Sequence, residues 1–101
     1  MDGLDFPGAI KDLNAARLFL IEKGCKTIHI IGFCMGGALT LLTVINFEGF
    51  CKAFPFYGVP SGIDKMDLSK MTTSVFAYFG EDDLLKGFSD AETANNLKAL
   101  F

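Results

Sequence analysis

The chain has 101 residues, half of them hydrophobic, with eleven Phe and a mean hydropathy of +0.37. Small domains have much surface to cover, so a composition this apolar points to a membrane segment, the middle of a larger core, or an oligomer. A net charge of −3, a pI near 4.9 and nine scattered Lys and Arg exclude the clustered basic face that nucleic acid requires.

Residues Phe6–Lys23 read as a helix. Asp5 stands at the N-cap and Pro7 in the first turn, where its missing N–H costs nothing. Phe6, Ile10, Leu13, Ala16 and Leu20 follow helical spacing, with Lys11, Asp12 and Asn14 on the other side, and Gly24 closes the helix as its C′ residue. Thr27–Phe33 (TIHIIGF) is short, apolar and β-branched, as expected of a strand buried on both faces. A helix follows from Met35 to Asn46, apolar on most sides and therefore buried. Lys52–Tyr57 (KAFPFY) is a second strand, although Pro55 can donate no ladder bond. Residues Gly58–Thr73 form a loop, and Ser74–Phe79 (SVFAYF) a third strand. After a further loop, Ser89 and Glu92 make a capping-box pair that opens a last helix, with Ala94, Leu97 and Phe101 on one face.

Connections too long for hairpins favour a mostly parallel sheet, so the fold class is α/β, with helices expected on both faces. That arrangement also disposes of the membrane reading. The run Ile28–Phe47 carries His29, Asn46 and four Gly or Thr positions within Gly36–Thr43, and breaks at a glycine pair, unlike a span of about 20 apolar residues. No basic stretch precedes an apolar one at the start, so no secretory signal is visible. Three cysteines, an odd number without paired spacing, make neither a disulfide framework nor a zinc site, and a reducing, cytoplasmic setting is the default. Cys25 and Cys51 read as small buried residues. Met35, Met66 and Met71 have no ligand spacing, so neither metal nor cofactor is expected.

The sharpest local signal is Gly32-Phe33-Cys34-Met35-Gly36-Gly37, between a buried strand and a buried helix. It fits a G-x-nucleophile-x-G elbow with Cys in place of Ser. Such a turn holds the nucleophile in a strained conformation. Gly32 and Gly36 would supply room around it, and Gly37 would let the helix approach the sheet. The Met35 N–H would offer half of an oxyanion hole, and the helix N-terminus would favour a thiolate. A buried cysteine among close-packed glycines is the plain alternative, but the spacing and the strand–helix context favour the elbow. A dinucleotide-binding turn is disfavoured, because G-x-G-x-x-G and its following acidic residue are absent.

With this elbow, the helix-Gly-x-Lys-strand run before it, the strand end Phe56-Tyr57-Gly58 and the later Gly80-Glu81-Asp82-Asp83, the chain resembles the dienelactone hydrolase family of α/β-hydrolases from Asp12 to about Leu100. The resemblance implies a partial α/β-hydrolase domain over 1–101, lacking the family's first strands and its final histidine segment. It also implies hydrolysis of a small ester or lactone without a cofactor. Cys34 would be the nucleophile and Asp83 the triad acid, with Asp82 second; Leu84-Leu85-Lys86-Gly87 departs from the family's usual Pro- and Val-containing turn. Tyr57 would line the pocket or serve as an ordinary aromatic at the sheet edge.

The sole histidine, His29, lies five residues before Cys34 in the strand that feeds the elbow, well over 10 Å away at a rise of about 3.3 Å per residue, and reads as a core or sheet-edge residue. The resemblance places the base beyond Phe101, so this chain alone is expected to be impaired. Two other classes compete: an interaction module self-associating through exposed sheet edges, and a thiol-redox protein using Cys34.

Overall fold

The computed structural model describes residues 5–60, 62–69 and 71–79. Helix α1 spans Phe6–Glu22, strand β1 His29–Phe33, helix α2 Met35–Asn46, strand β2 Lys52–Phe56 and strand β3 Ser74–Val75, with a 3₁₀ turn at Ile63–Lys65 before β3. The strands form one parallel sheet in the order β1-β2-β3, with Ile30 opposite Ala53 and Ala53 opposite Val75. The expected last helix lies outside the described residues.

Both ends of α1 follow from the sequence. The Asp5 carboxylate accepts the Gly8 N–H at 3.1 Å, with Pro7 in the first turn. At the far end the Gly24 N–H donates to Ile21 and the Cys25 N–H to Leu20, a Schellman closure that Gly24 allows at φ +98°. The face is less as expected. Leu13 packs against the core and the Arg17 guanidinium lies 5.6 Å above the Phe50 ring, whereas Ala16 and Leu20 of the predicted stripe are exposed, as are Leu18, Phe19 and Ile21.

Helix α2 is the buried one. Leu41, Val44, Thr40 and Thr43 are almost wholly enclosed, and each threonine hydroxyl is satisfied by the carbonyl four residues back, Gly36 at 2.8 Å and Leu39 at 2.7 Å. Enclosing an aliphatic side chain of this size stabilises the fold by about 1.5–3 kcal/mol. One core cluster joins Ile28, Ile30, Val44, Phe50 and Ala53, with Leu13 of α1 against it; the other joins Leu41, Val59 and Ile63. Thr73 is tied into the first region by its hydroxyl, 2.8 Å from the Phe50 carbonyl.

Pro55 occupies the central strand, and the ladder records its cost. The Phe76 N–H reaches the Ala53 carbonyl at 2.9 Å and the Tyr78 N–H reaches that of Pro55 at 3.0 Å. The bond between them would come from an N–H at position 55, which proline lacks. Regular β3 accordingly stops at Val75, short of the predicted Phe79, with a single bridge resuming between Phe56 and Tyr78.

Among the described residues both helices lie on one face of the sheet. The opposite face carries His29, Ile31 and Phe33 of β1, Phe54 and Phe56 of β2, and Phe76 and Tyr78 beyond β3. Phe33 stacks on Phe56 and Phe56 on Tyr78, with ring centroids 4.8 and 4.6 Å apart. Ile31 and Phe33 remain more than half exposed, at 59 % and 55 %. Among the described residues, the strand read as buried on both faces, Thr27–Phe33, is therefore covered on one. Among the described residues, no helix is long and apolar enough to cross a membrane.

Candidate active site

Strand β1 ends at Phe33 and α2 begins at Met35, leaving one residue to reverse the chain. Cys34 does so at φ 58°, ψ −119°, a conformation that L-residues rarely adopt and that costs about 1–3 kcal/mol. Three backbone bonds hold it there. Its N–H donates to the Phe56 carbonyl at 3.0 Å, and its own carbonyl accepts from Gly37 at 2.9 Å and from Ala38 at 3.3 Å. The thiol makes no capping hydrogen bond, and Cys34 is exposed at the carboxyl edge of the sheet. Open α/β sheets bind ligands at that edge.

The glycines around the turn do different jobs. A Cβ on Gly32 would strike the Gly36 carbonyl and approach the Thr40 hydroxyl to 2.6 Å, so Gly32 is required for space. Gly37 faces the Phe56 carbonyl, where a Cβ would sit at 2.6 Å, and this lets α2 lie against β2 as expected. Gly36 is a correction. A Cβ there meets nothing within 4 Å, because the close approach at this point is made by its backbone, which Gly32 accommodates. Sequence reasoning missed Gly58 altogether: a Cβ on it would collide with the Cys34 carbonyl. The signal was present in Phe56-Tyr57-Gly58, but nothing local says that a glycine after a strand abuts the preceding strand's turn.

Met35 is the first residue of α2, and its N–H has no backbone acceptor among the described residues. The donor lies one peptide from the Cys34 sulfur, at the electropositive end of a 12-residue helix. Tyr57 sits at the same edge, 40 % exposed, with its ring 6.5 Å from that of Phe33. Its backbone is left-handed at φ 38°, and its N–H is pinned by the Tyr78 carbonyl at 2.6 Å. Cys34, Met35 and Tyr57 are thus brought to one edge. Asp83 and Asp82 lie outside the described residues.

His29 is at the opposite end of β1 and is exposed, its ring meeting Phe54 edge-on at 6.4 Å. It is a surface residue on the aromatic face, not a core one, and it is far from Cys34. Cys25 and Cys51 are corrected too: both are free and exposed, because they fall in the connections flanking β1 and β2 and not within the packed elements. Among the described residues no group of three His, Cys, Asp or Glu is placed to hold a metal ion.

Residues 6–99 match a family model described as the dienelactone hydrolase family. None of the curated proteins compared with the chain matches it.

Proposed function

The chain belongs to the dienelactone hydrolase family, and on that premise we propose that it carries the nucleophile of a carboxylic-ester or lactone hydrolase acting on a small-molecule substrate. The carrying observation is Cys34, held left-handed at a strand-to-helix turn with its thiol exposed at the sheet's carboxyl edge. The Cys34 thiolate attacks the substrate carbonyl carbon, and the carbonyl electron pair moves onto oxygen, where the Met35 N–H receives it. Collapse of this adduct expels the alkoxide and leaves an acyl thioester on Cys34. Tyr57, at the same edge, lines the substrate's approach.

Asp83 is the proposed acid, with Asp82 second. It follows Phe79 by four residues, a distance of at most about 14 Å of backbone, and Tyr78 still pairs with β2 next to the elbow. Its task is to orient an imidazole. His29 cannot be that imidazole, and it is the only histidine in the 101 residues. Without a base to activate water, the thioester forms and persists. We also propose a cytoplasmic setting and self-association through the outer edges of β1 and β3, which have no partner strand among the described residues.

Mixing the chain with p-nitrophenyl acetate tests the chemistry. A burst of about one equivalent of p-nitrophenolate without continued turnover is expected. The burst should survive Cys25→Ala and Cys51→Ala and vanish in Cys34→Ala. Steady turnover that survives Cys34→Ala would overturn the reading.

A further inference from the structure

We infer that the carboxyl end of β2, through the Phe56 carbonyl and Gly58, is the clamp that holds Cys34 in its reactive backbone conformation. The inference rests on Cys34 being the nucleophile and assigns Gly58 as a positioning residue.

A cysteine at φ 58° returns to an ordinary conformation unless its surroundings prevent it. The Gly37 and Ala38 N–H groups hold the Cys34 carbonyl from within α2. The rest of the hold comes from the neighbouring strand. The Phe56 carbonyl accepts the Cys34 N–H at 3.0 Å, on one side of the strained residue. On the other side, Gly58 lies so close to the Cys34 carbonyl that no Cβ fits between them, and a Cβ there would also come within 3.0 Å of the Ala38 nitrogen. That carbonyl is the acceptor of the first bonds of α2, from Gly37 and Ala38. Gly58 is therefore packed against the junction where the elbow becomes a helix.

The chain reaches this position through a second strained residue. Tyr57 adopts φ 38°, and its N–H bond to the Tyr78 carbonyl anchors the turn to the next strand. Gly58 is buried although it follows an exposed tyrosine. Any side chain at position 58 must push the end of β2 away from α2, or rotate the Cys34 peptide. Either movement shifts the sulfur relative to the Met35 N–H.

The three exposed cysteines supply the test, since Cys25 and Cys51 report on general opening of the chain. Iodoacetamide labelling of the full chain, followed residue by residue by mass spectrometry, should find Cys34 the fastest. In Gly58→Ala the Cys34 rate should fall about tenfold, while Cys25 and Cys51 keep their rates and the far-UV spectrum stays that of a folded chain. A merely structural role for Gly58 would move all three rates together, and an unchanged Cys34 rate in a folded Gly58→Ala variant overturns the clamp. Native-state hydrogen exchange of the unmutated chain decides the matter if that variant does not fold. The Cys34 N–H should exchange as slowly as the ladder amides of β1, and exchange as fast as that of Gly62 would overturn the inference. Equal labelling of all three cysteines in the unmutated chain counts against the nucleophile itself, and the exchange measurement still judges the clamp.

Discussion

At the level of single residues, the Gly32–Gly37 turn shows how glycines alike in spacing differ in packing. Gly-x-Cys-x-Gly-Gly names a tight turn, yet spacing treats Gly32 and Gly36 as equivalent. The packing separates them, since the Gly36 carbonyl occupies the place where a Gly32 side chain would go, whereas a Gly36 side chain would enter open space. Gly32→Ala is therefore expected to destabilise the chain by roughly 1–3 kcal/mol through overpacking against backbone that cannot yield. Gly36→Ala, in a helical conformation with room for a methyl, should be neutral or stabilising by up to about 1 kcal/mol. Urea unfolding of the two variants checks this, and equal midpoints would contradict the asymmetry. Cys34 itself was legible as the residue at the turn, because a strand, one residue and a helix leave no other way to reverse direction.

The elements divide between those set by local chemistry and those set by neighbours. The limits of α1 and α2 agree with the sequence to within a residue, because Asp5, Gly24 and the Cys34 turn act on the backbone next to them. The face that α1 buries was read less well. Periodicity put Leu20 in the same apolar stripe as Leu13, but Leu20 is 40 % exposed, while Leu41 of α2 is completely enclosed. Leu41→Ala should cost about 2–5 kcal/mol, through lost burial and a cavity beside Val59 and Ile63. Leu20→Ala should cost well under about 1 kcal/mol. Thermal or urea denaturation separates the two, and comparable losses would show that the end of α1 is covered in solution. The short β3 has a different origin, a missing donor on the adjacent strand at Pro55, which no inspection of residues 74–79 alone could reveal.

Across the whole molecule, the apolar composition is only partly accounted for by the described core. One sheet face packs against α2 and Leu13; the other presents stacked aromatic rings, with Ile31, Phe33, Phe76 and Tyr78 each at least 43 % exposed. Exposed apolar surface of this kind drives association, and β1 adds an edge with no partner strand among the described residues. Concentration-dependent association is expected in analytical ultracentrifugation. Ile31→Lys places a charge on both the edge strand and the aromatic face, and should shift the distribution towards the monomer. Because Ile31 is exposed, the unfolding midpoint should barely move. A distribution unaffected by Ile31→Lys would exclude this region as the contact.

The sequence by itself determined the α/β class, the order of helix and strand, the caps of α1 and the position of the strand-to-helix turn at Cys34. Each depends on residues adjacent in the chain or on a period of one element, and such information survives without knowledge of the fold. Cysteine type and spacing likewise singled out Cys34 from Cys25 and Cys51 as the candidate nucleophile, although exposure does not distinguish them. Only the tertiary structure decided which glycines bear contacts, that Gly58 faces Cys34, that β3 is interrupted opposite Pro55, and that His29 and the aromatic rings share an exposed face. Most of these features arise where segments 22 to 24 residues apart are brought together. No local pattern encodes the distance between the Cys34 carbonyl and Gly58, because that distance exists only once β2 has paired with β1.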